Sequence, residues 1–192
     1  PSETAPLGAE NVFEHNAGSI CASWWWSGYL TPGVYVSLDG APAGYSIWEF
    51  AGKDIKWKYK AVGMDENYQF RAYDLNNVSF SYSDVPNIST STKVQNAFDY
   101  YVKAYPKNSN NEVLINIWNW NPKWKIEIKE NGKTLDETRV MGYDPLHIAA
   151  LTAKRFNDAA LTAEPAFTTT VNLPLIQISE PTRPLSITNA VF

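Results

Sequence analysis

The chain has 192 residues, of which 44% are hydrophobic, 14% aromatic and 19% charged, and its formal net charge at pH 7 is −4. This composition excludes a disordered chain, and the scattered charges, with no basic patch, argue against nucleic acid as a partner. No apolar run approaches the roughly 20 residues of a membrane span. We therefore expect a globular protein with no membrane span.

Residue types that carry chemistry are scarce in this chain. Cys21 is the sole cysteine, so no intrachain disulfide is expected, and its apolar surroundings predict an inert thiol. The two histidines, His15 and His147, lie in no ligand-like spacing. We expect His15 to be structural or exposed, and His147 to have a packing or hydrogen-bonding role. No serine or cysteine lies in a nucleophile elbow, and no glycine-rich loop precedes a helix. The sequence thus predicts neither a catalytic residue nor a metal ligand.

Three consecutive tryptophans dominate the first segment, "ICASWWWSGYLTPG" at residues 20–33. The alternation around them predicts a strand, in which neighbouring side chains point to opposite faces. Trp24 and Trp26 then share one face and Trp25 lies on the other. At least one indole must therefore face a second surface.

Two further strands are predicted from the next two runs of the chain. "AGYSIWEFAG" carries apolar residues on both faces, which is typical of a central strand. "KDIKWKYKA" alternates, with Ile55, Trp57, Tyr59 and Ala61 inward and lysines outward, as in an edge strand.

The middle of the chain predicts a short strand, a loop and a helix. "YQFRAYDL" favours a strand, and the polar, turn-rich segment "NNVSFSYSDVPNISTST" favours a surface loop. Ser91 or Thr92 is a suitable cap for a helix over 93–105, which Pro106 ends. The apolar residues of that helix recur at helical spacing: Val94, Phe98, Tyr101 and Tyr105.

The strongest strand patterns follow in "EVLINIWNW" and "KWKIEIKENGKTL". Asn131-Gly132, between two extended runs, favours a type I′ hairpin turn. Asp144-Pro145 then begins a second helix over 145–157, with aspartate as the cap and proline at the first helical position. Its core face is expected to contain Ile148, Leu151, Thr152 and Phe156.

These elements together predict a mainly β (α+β) fold, antiparallel, β-sandwich-like and Ig-like, with two short helices. The last segment, from residue 172, holds three prolines and shows no clear period. Two alternatives stay open for it: a strand that crosses back over the sandwich, or a segment that does not belong to the fold.

The candidate contact residues form an aromatic cluster with a glycine- and proline-rich loop behind it. Three roles are open for the cluster: rings packed between layers, a contact with another domain, or the wall of a ligand site. The candidate contact residues are Trp24, Trp25, Trp26, Tyr29 and Tyr35 of the cluster and Asp39 of the loop.

Several long strings resemble the C-terminal region of calcineurin-like phosphoesterases of the Bacteroidota type. They are "VFEHNAGSICASWWWSGYLTPG", "DGAPAGYSIWEF", "YPKNSNNEVLINIWNWNPKWKIEIKENGK" and "YDPLHIAALTAKRFN", in one order over roughly residues 9–170. The resemblance adds His15 and Asn16 to the candidate contact residues. The tail "NLPLIQISEPTRPLSITNAVF" departs from the family pattern and is a candidate for non-native sequence.

The resemblance implies a larger parent protein, a metal-dependent hydrolase. Full-length relatives place a β-sandwich and a catalytic domain before this region, and that domain holds two divalent metal ions through motifs such as D-x-H and G-N-H. None of these motifs occurs here, so no ligand is transferred to any residue and no cofactor is expected in this chain. The resemblance also implies an exported, periplasmic or cell-surface protein. We accordingly expect Pro1 to be a cut end.

The expected function is that of an accessory region that packs on the upstream catalytic domain of the same polypeptide and is not catalytic by itself. Trp25 and the Tyr29 loop would then seal against that domain. Residues 1–62 would finish the phosphoesterase domain or start the accessory domain, residues 63–171 would form the accessory sandwich, and 172–192 the off-pattern tail. The alternatives are a glycan-binding module with exposed, coplanar aromatic rings, and a structural Ig-like spacer with those rings buried.

Overall fold

A computed structural model describes residues 33–52, 54–121, 124–130, 132–165 and 172–179. The strands are β1 (Gly44–Ala51), β2 (Asp54–Ala61), β3 (Phe70–Asp74), β4 (Glu112–Ile117), β5 (Lys129–Glu130), β6 (Lys133–Thr134), β7 (Glu137–Gly142) and β8 (Leu173–Ser179). The first helix is Thr92–Ala104, and the second runs through Pro145–His147, Ile148–Thr152 and Ala153–Phe156. Every strand pairing is antiparallel, which confirms the predicted mainly β fold with two short helices. None of the helices in this part of the chain has the length and apolar character needed to cross a bilayer.

A four-stranded sheet in the order β3-β4-β8-β7 forms the centre of the fold. β8 lies inside this sheet, where Ile176 is opposite Ile115 of β4 and Leu175 is opposite Val140 of β7. For residues 173–179 the first of the two alternatives is therefore observed, a strand that returns to the sheet. The domain boundaries themselves stay predictions.

One face of this sheet is covered by both helices. Leu114 of β4 and Leu175 of β8 pack there against Val94 and Phe98 of the first helix and Phe156 of the second. The first helix begins directly after Ser91, as predicted. All the apolar positions predicted from helical spacing in the two helices are buried, as are Thr152 and Tyr105. Helical periodicity thus identified the buried face of each helix correctly.

The opposite face of the sheet packs on the segment that precedes the β5–β6 hairpin. Ile115 and Ile176 contact a cluster that includes Ile128, with Trp124 and Ile126 half-buried beside it. The prediction of a strand through residues 124–128 is wrong, because only Lys129–Glu130 and Lys133–Thr134 pair. The alternation there reflects packing on one side, and one further backbone hydrogen bond, from Leu135 N to Ile128 O at 2.9 Å, extends the hairpin. The predicted hairpin is confirmed by the pairing of Glu130 with Lys133.

β1 and β2 form a two-stranded ribbon. The pattern predicted for β2 is confirmed, since Trp57, Tyr59 and Ala61 are buried. The central position predicted for β1 is not what the described part of the chain shows, because β1 pairs there with β2 alone. Its two apolar faces have another cause: the Trp48 ring stacks across the ribbon on Trp57 at 4.7 Å between centroids. The other face leaves Tyr45 55% exposed.

The Gln69 side chain joins this ribbon to the four-stranded sheet through the peptide backbone of β2. The buried carboxamide of Gln69 accepts a hydrogen bond from Tyr59 N at 2.9 Å and donates one to Tyr59 O at 2.6 Å. Gln69 O in turn accepts from Trp118 N at 2.8 Å, just beyond β4. Gln69 therefore replaces a strand partner for β2 and links it to the edge of the sheet.

Candidate functional site

The loop that follows the tryptophan-rich segment is held in a tight turn, and we call residues 33–43 the Asp39 loop. Val36 and Pro42 form an antiparallel bridge, and Ser37 N donates to Ala41 O at 2.8 Å. The Asp39 carboxylate accepts from Ala41 N at 3.0 Å, so this acidic side chain fixes its own turn. Val36 and Ala41 are both buried, so the loop packs against the protein interior.

Two side chains from the sheet bind the backbone of the Asp39 loop. Asn116 Nδ2 on β4 donates to Asp39 O at 2.7 Å, and Arg71 Nη1 on β3 donates to Gly40 O at 2.9 Å. Gly40 has φ = +77°, and a Cβ atom there would lie 1.9 Å from Asp144 Cγ. Glycine is required at this position for both its backbone conformation and the close approach.

Asp144, the residue beneath Gly40, is fully buried and collects donors from three segments of the chain. Its Oδ2 accepts from Tyr73 OH at 2.6 Å and from Asn116 Nδ2 at 2.9 Å. Its Oδ1 accepts from His147 N at 2.9 Å, which is the predicted N-cap of the second helix. Arg71 Nη1 completes the group as an ion-pair partner at 3.8 Å. A buried carboxylate needs this degree of compensation.

The protonation states of the neighbours suit this role. Burial and the Asp144 carboxylate raise the pKa of Tyr73 well above its usual value, so Tyr73 stays a hydrogen-bond donor. Burial by itself disfavours the charged form of Arg71. The oxygens of Tyr73, Asp144 and Tyr68 outweigh that effect, and the pKa of the guanidinium lies above its usual value.

His147 is a buried, neutral residue in the same region, which confirms the hydrogen-bonding role predicted for it. Burial lowers its pKa to about 4, and Asp39 opposes this shift. Its Nδ1 lies 3.0 Å from Thr152 Oγ1. The two residues are five apart, and the intervening Ile148–Thr152 turn has π geometry, which brings positions i and i+5 together.

Asp144, Arg71, Tyr73 and Asn116 together hold the Asp39 loop in place, and we call these residues the Asp144 anchor. Both carboxylate oxygens of Asp144 are occupied by donors, and the histidine is paired and enclosed. No group of three or more His, Cys, Asp or Glu residues within the described ranges could hold a metal ion. These residues therefore do not fit a two-metal centre, and no reaction step is assigned to them.

Of the predicted contact residues, Tyr35 and Asp39 lie in the described part of the chain. Tyr35 is 57% exposed at the start of the loop, whereas the Asp39 carboxylate is turned to its own backbone. Outside the described residues lie Trp24, Trp25, Trp26, Tyr29, His15 and Asn16. Their contact role stays a prediction, and so does the coplanar arrangement expected for a glycan-binding module.

Three of the residues that hold the loop were not predicted from the sequence: Arg71, Tyr73 and Asn116. Only the Asp144 cap had a local signal, the Asp-Pro pair. A buried asparagine inside "VLINI" is the one further cue, because a polar residue in an apolar strand requires a partner.

A family model described as the C terminal of calcineurin-like phosphoesterase matches residues 14–182. The chain belongs to this family. The match includes the Asp39 loop, Asp144 and β8, so the anchor lies within the C-terminal region of a calcineurin-like phosphoesterase. No curated protein and no solved structure matches the chain.

The contact between Gly40 and Asp144 can be tested with two matched glycines. Gly33 has a similar φ of +83°, but nothing lies within 4 Å of a Cβ placed there. We expect Gly33→Ala to cost about 1–2 kcal/mol of unfolding free energy through the backbone alone. Gly40→Ala should cost at least about 2 kcal/mol more, because the Asp144 hydrogen bonds must separate. Equal losses in chemical denaturation would contradict the anchor.

Acid should weaken the fold through His147. Its pKa is about 4 in the folded protein and about 6.5 in an unfolded chain, so the unfolded state takes up the proton first. The contribution is complete above pH 6.5, falls as the pH drops from 6.5 to 4, and amounts to about 3 kcal/mol. The stability advantage of the wild type over His147→Gln should shrink by that amount across the window. Parallel stability curves for the two proteins would refute the assignment.

Proposed function

We propose that this chain packs on the catalytic domain of a metal-dependent calcineurin-like phosphoesterase, helps to shape it, and is not catalytic by itself. The observation that carries the proposal is the exposed Tyr35 ring on a loop whose backbone is tied to a buried polar cluster. Aromatic side chains in fixed positions are the usual anchors of protein interfaces, because little conformational entropy is lost on contact.

The support for Tyr35 as an anchor comes from its backbone contact with Ala43 and from the burial of Val36. Tyr35 O accepts a hydrogen bond from Ala43 N at 3.2 Å, and the following residue, Val36, is 2% exposed. The backbone is thus fixed while the ring is presented to solvent. The tryptophan-rich segment precedes this loop directly in sequence, so the proposed interface combines Tyr35 with Trp25 and Tyr29.

The family relationship supplies the remaining parts of the proposal. The upstream catalytic domain would bind the two divalent metal ions, which would activate water for attack on a phosphoester. We further propose that the parent protein is exported to the periplasm or cell surface. This chain would act on the reaction only through the shape of the domain it contacts.

The isolated chain should not hydrolyse phosphoesters. We expect no turnover of an aryl phosphate by the purified 192-residue protein in the presence of Mn²⁺, because the described residues offer no ligand set that would lower the pKa of bound water. The assay should monitor nitrophenolate release, with an active calcineurin-like phosphoesterase as the positive control. Metal-dependent turnover that co-purifies with the chain would refute the non-catalytic role.

Removal of the Tyr35 ring should loosen domain docking without unfolding this chain. In a polypeptide that joins the chain to its catalytic domain, Tyr35→Ala should increase cleavage between the domains in limited proteolysis. Tyr100→Ala is the matched control, since that ring is 66% exposed on the first helix and distant in sequence from the loop. Both variants should change the stability of the isolated chain by less than about 0.5 kcal/mol. Equal cleavage of the two variants would contradict the proposed interface.

A further inference from the structure

Part of the Arg71 guanidinium makes no hydrogen bond within the Asp144 anchor. Arg71 makes all its hydrogen bonds through Nη1, to Gly40 O at 2.9 Å and to Tyr73 OH at 3.2 Å, and the Asp144 ion pair uses the same nitrogen. Nε and Nη2 have no partner among the described residues, and neither is one of the buried unpaired nitrogens in that part of the chain. The side chain is 18% exposed. One edge of the guanidinium is therefore open to solvent.

Two aromatic residues shape the surroundings of this edge. The guanidinium lies over the Trp118 indole, with Cζ 4.9 Å from the ring centroid. Tyr68 packs edge-on against the same indole at 5.9 Å. Trp118 is 1% exposed, and its Nε1 has no hydrogen-bond partner. Because this nitrogen is enclosed, the donors that a ligand can reach here are those of the open guanidinium edge.

We propose that Arg71, Trp118 and Tyr68 form a binding site for a carboxylate. The Nε and Nη2 atoms of a guanidinium form a planar fork that matches the two oxygens of a carboxylate. The bound group would lie beside the Trp118 ring, over which the guanidinium is already held. Neither the Asp144 anchor nor the proposed docking through Tyr35 uses this open fork.

Shape distinguishes a carboxylate from a phosphate at this edge. A carboxylate is planar, so both of its oxygens can lie in the plane of the guanidinium that is held over Trp118. A tetrahedral phosphate has further oxygens outside that plane. The open edge of Arg71 therefore favours a planar anion.

A second arginine–tryptophan pair shows why the contact alone does not make such a site. Arg139 lies over Trp120 with Cζ 4.6 Å from the ring centroid, and Trp120 Nε1 is also buried and unpaired. Arg139, however, is exposed on β7, and no hydrogen bond fixes its guanidinium to the described residues. Arg71 is held by two hydrogen bonds and an ion pair, so its fork is preorganised and loses less freedom on binding.

The test is a titration of the isolated chain with sodium acetate at constant ionic strength, followed by NMR of the arginine Nε–H and tryptophan indole N–H groups. The Arg71 and Trp118 signals should shift saturably, and those of Arg139 and Trp120 should not. Arg71→Lys should weaken acetate binding about tenfold, since a lysine keeps the charge and loses the fork. The wild-type titration decides the matter even if Arg71→Lys does not fold. Equal shifts at both pairs, no shift at Arg71, or equal saturation by phosphate would overturn the proposal.

The source of the carboxylate is either an Asp or Glu side chain of the docked catalytic domain or a free organic acid. The first source rests on the proposed function, but the acetate titration of the isolated chain does not. In the polypeptide that includes the catalytic domain, acetate should no longer shift Arg71 if that domain supplies the carboxylate. An unchanged acetate response there assigns the site to a free acid.

Discussion

The buried carboxylate of Asp144 is the constraint on which the described arrangement depends. An uncompensated charge in this position would cost several kcal/mol. The compensating donors come from β3, β4 and the first turn of the second helix. Because all of them must reach one group, the carboxylate fixes the relative positions of a strand edge, an inner strand and a helix start. The Asp144 side chain also packs directly against Gly40.

The Asp39 loop is coupled to this constraint through side chains with two functions. Asn116 Nδ2 donates both to Asp144 Oδ2 and to Asp39 O, and Arg71 Nη1 serves Asp144 and Gly40 O together. Movement of the loop would break contacts that also stabilise the core, where hydrogen bonds to a charged group contribute about 1.5–3 kcal/mol each. The exposed Tyr35 ring therefore stands on a backbone whose position is set by buried chemistry.

Local patterns predicted β1 to β4, the β5–β6 hairpin and both helices, but they did not predict β7 and left β8 as one of two alternatives. The pairings between distant residues could not be predicted from such patterns. The Asp144-Pro145 start of the second helix was predictable, because a cap and its helix are adjacent in sequence. The bond from Tyr73 to Asp144 joins residues 71 positions apart, and that from Arg71 to Gly40 joins residues 31 apart. No spacing rule connects such residues. The central position predicted for β1 failed for a related reason: an apolar pattern records that rings are covered without recording by what.

Directional contacts explain how the ribbon and loop keep one position against the sheet. The apolar cluster at this junction contains Ala41, Tyr59, Ala61 and Trp118, and apolar burial alone tolerates small shifts in register. The Gln69 carboxamide removes that freedom, because it donates to and accepts from the backbone of one residue, Tyr59. The Asp144 cluster does the same for the loop. Hydrogen bonds from Asn119 to Ser46 and from Trp57 to Asn119 add to these polar contacts. The polar contacts therefore set the geometry, and the apolar cluster between them supplies the stability.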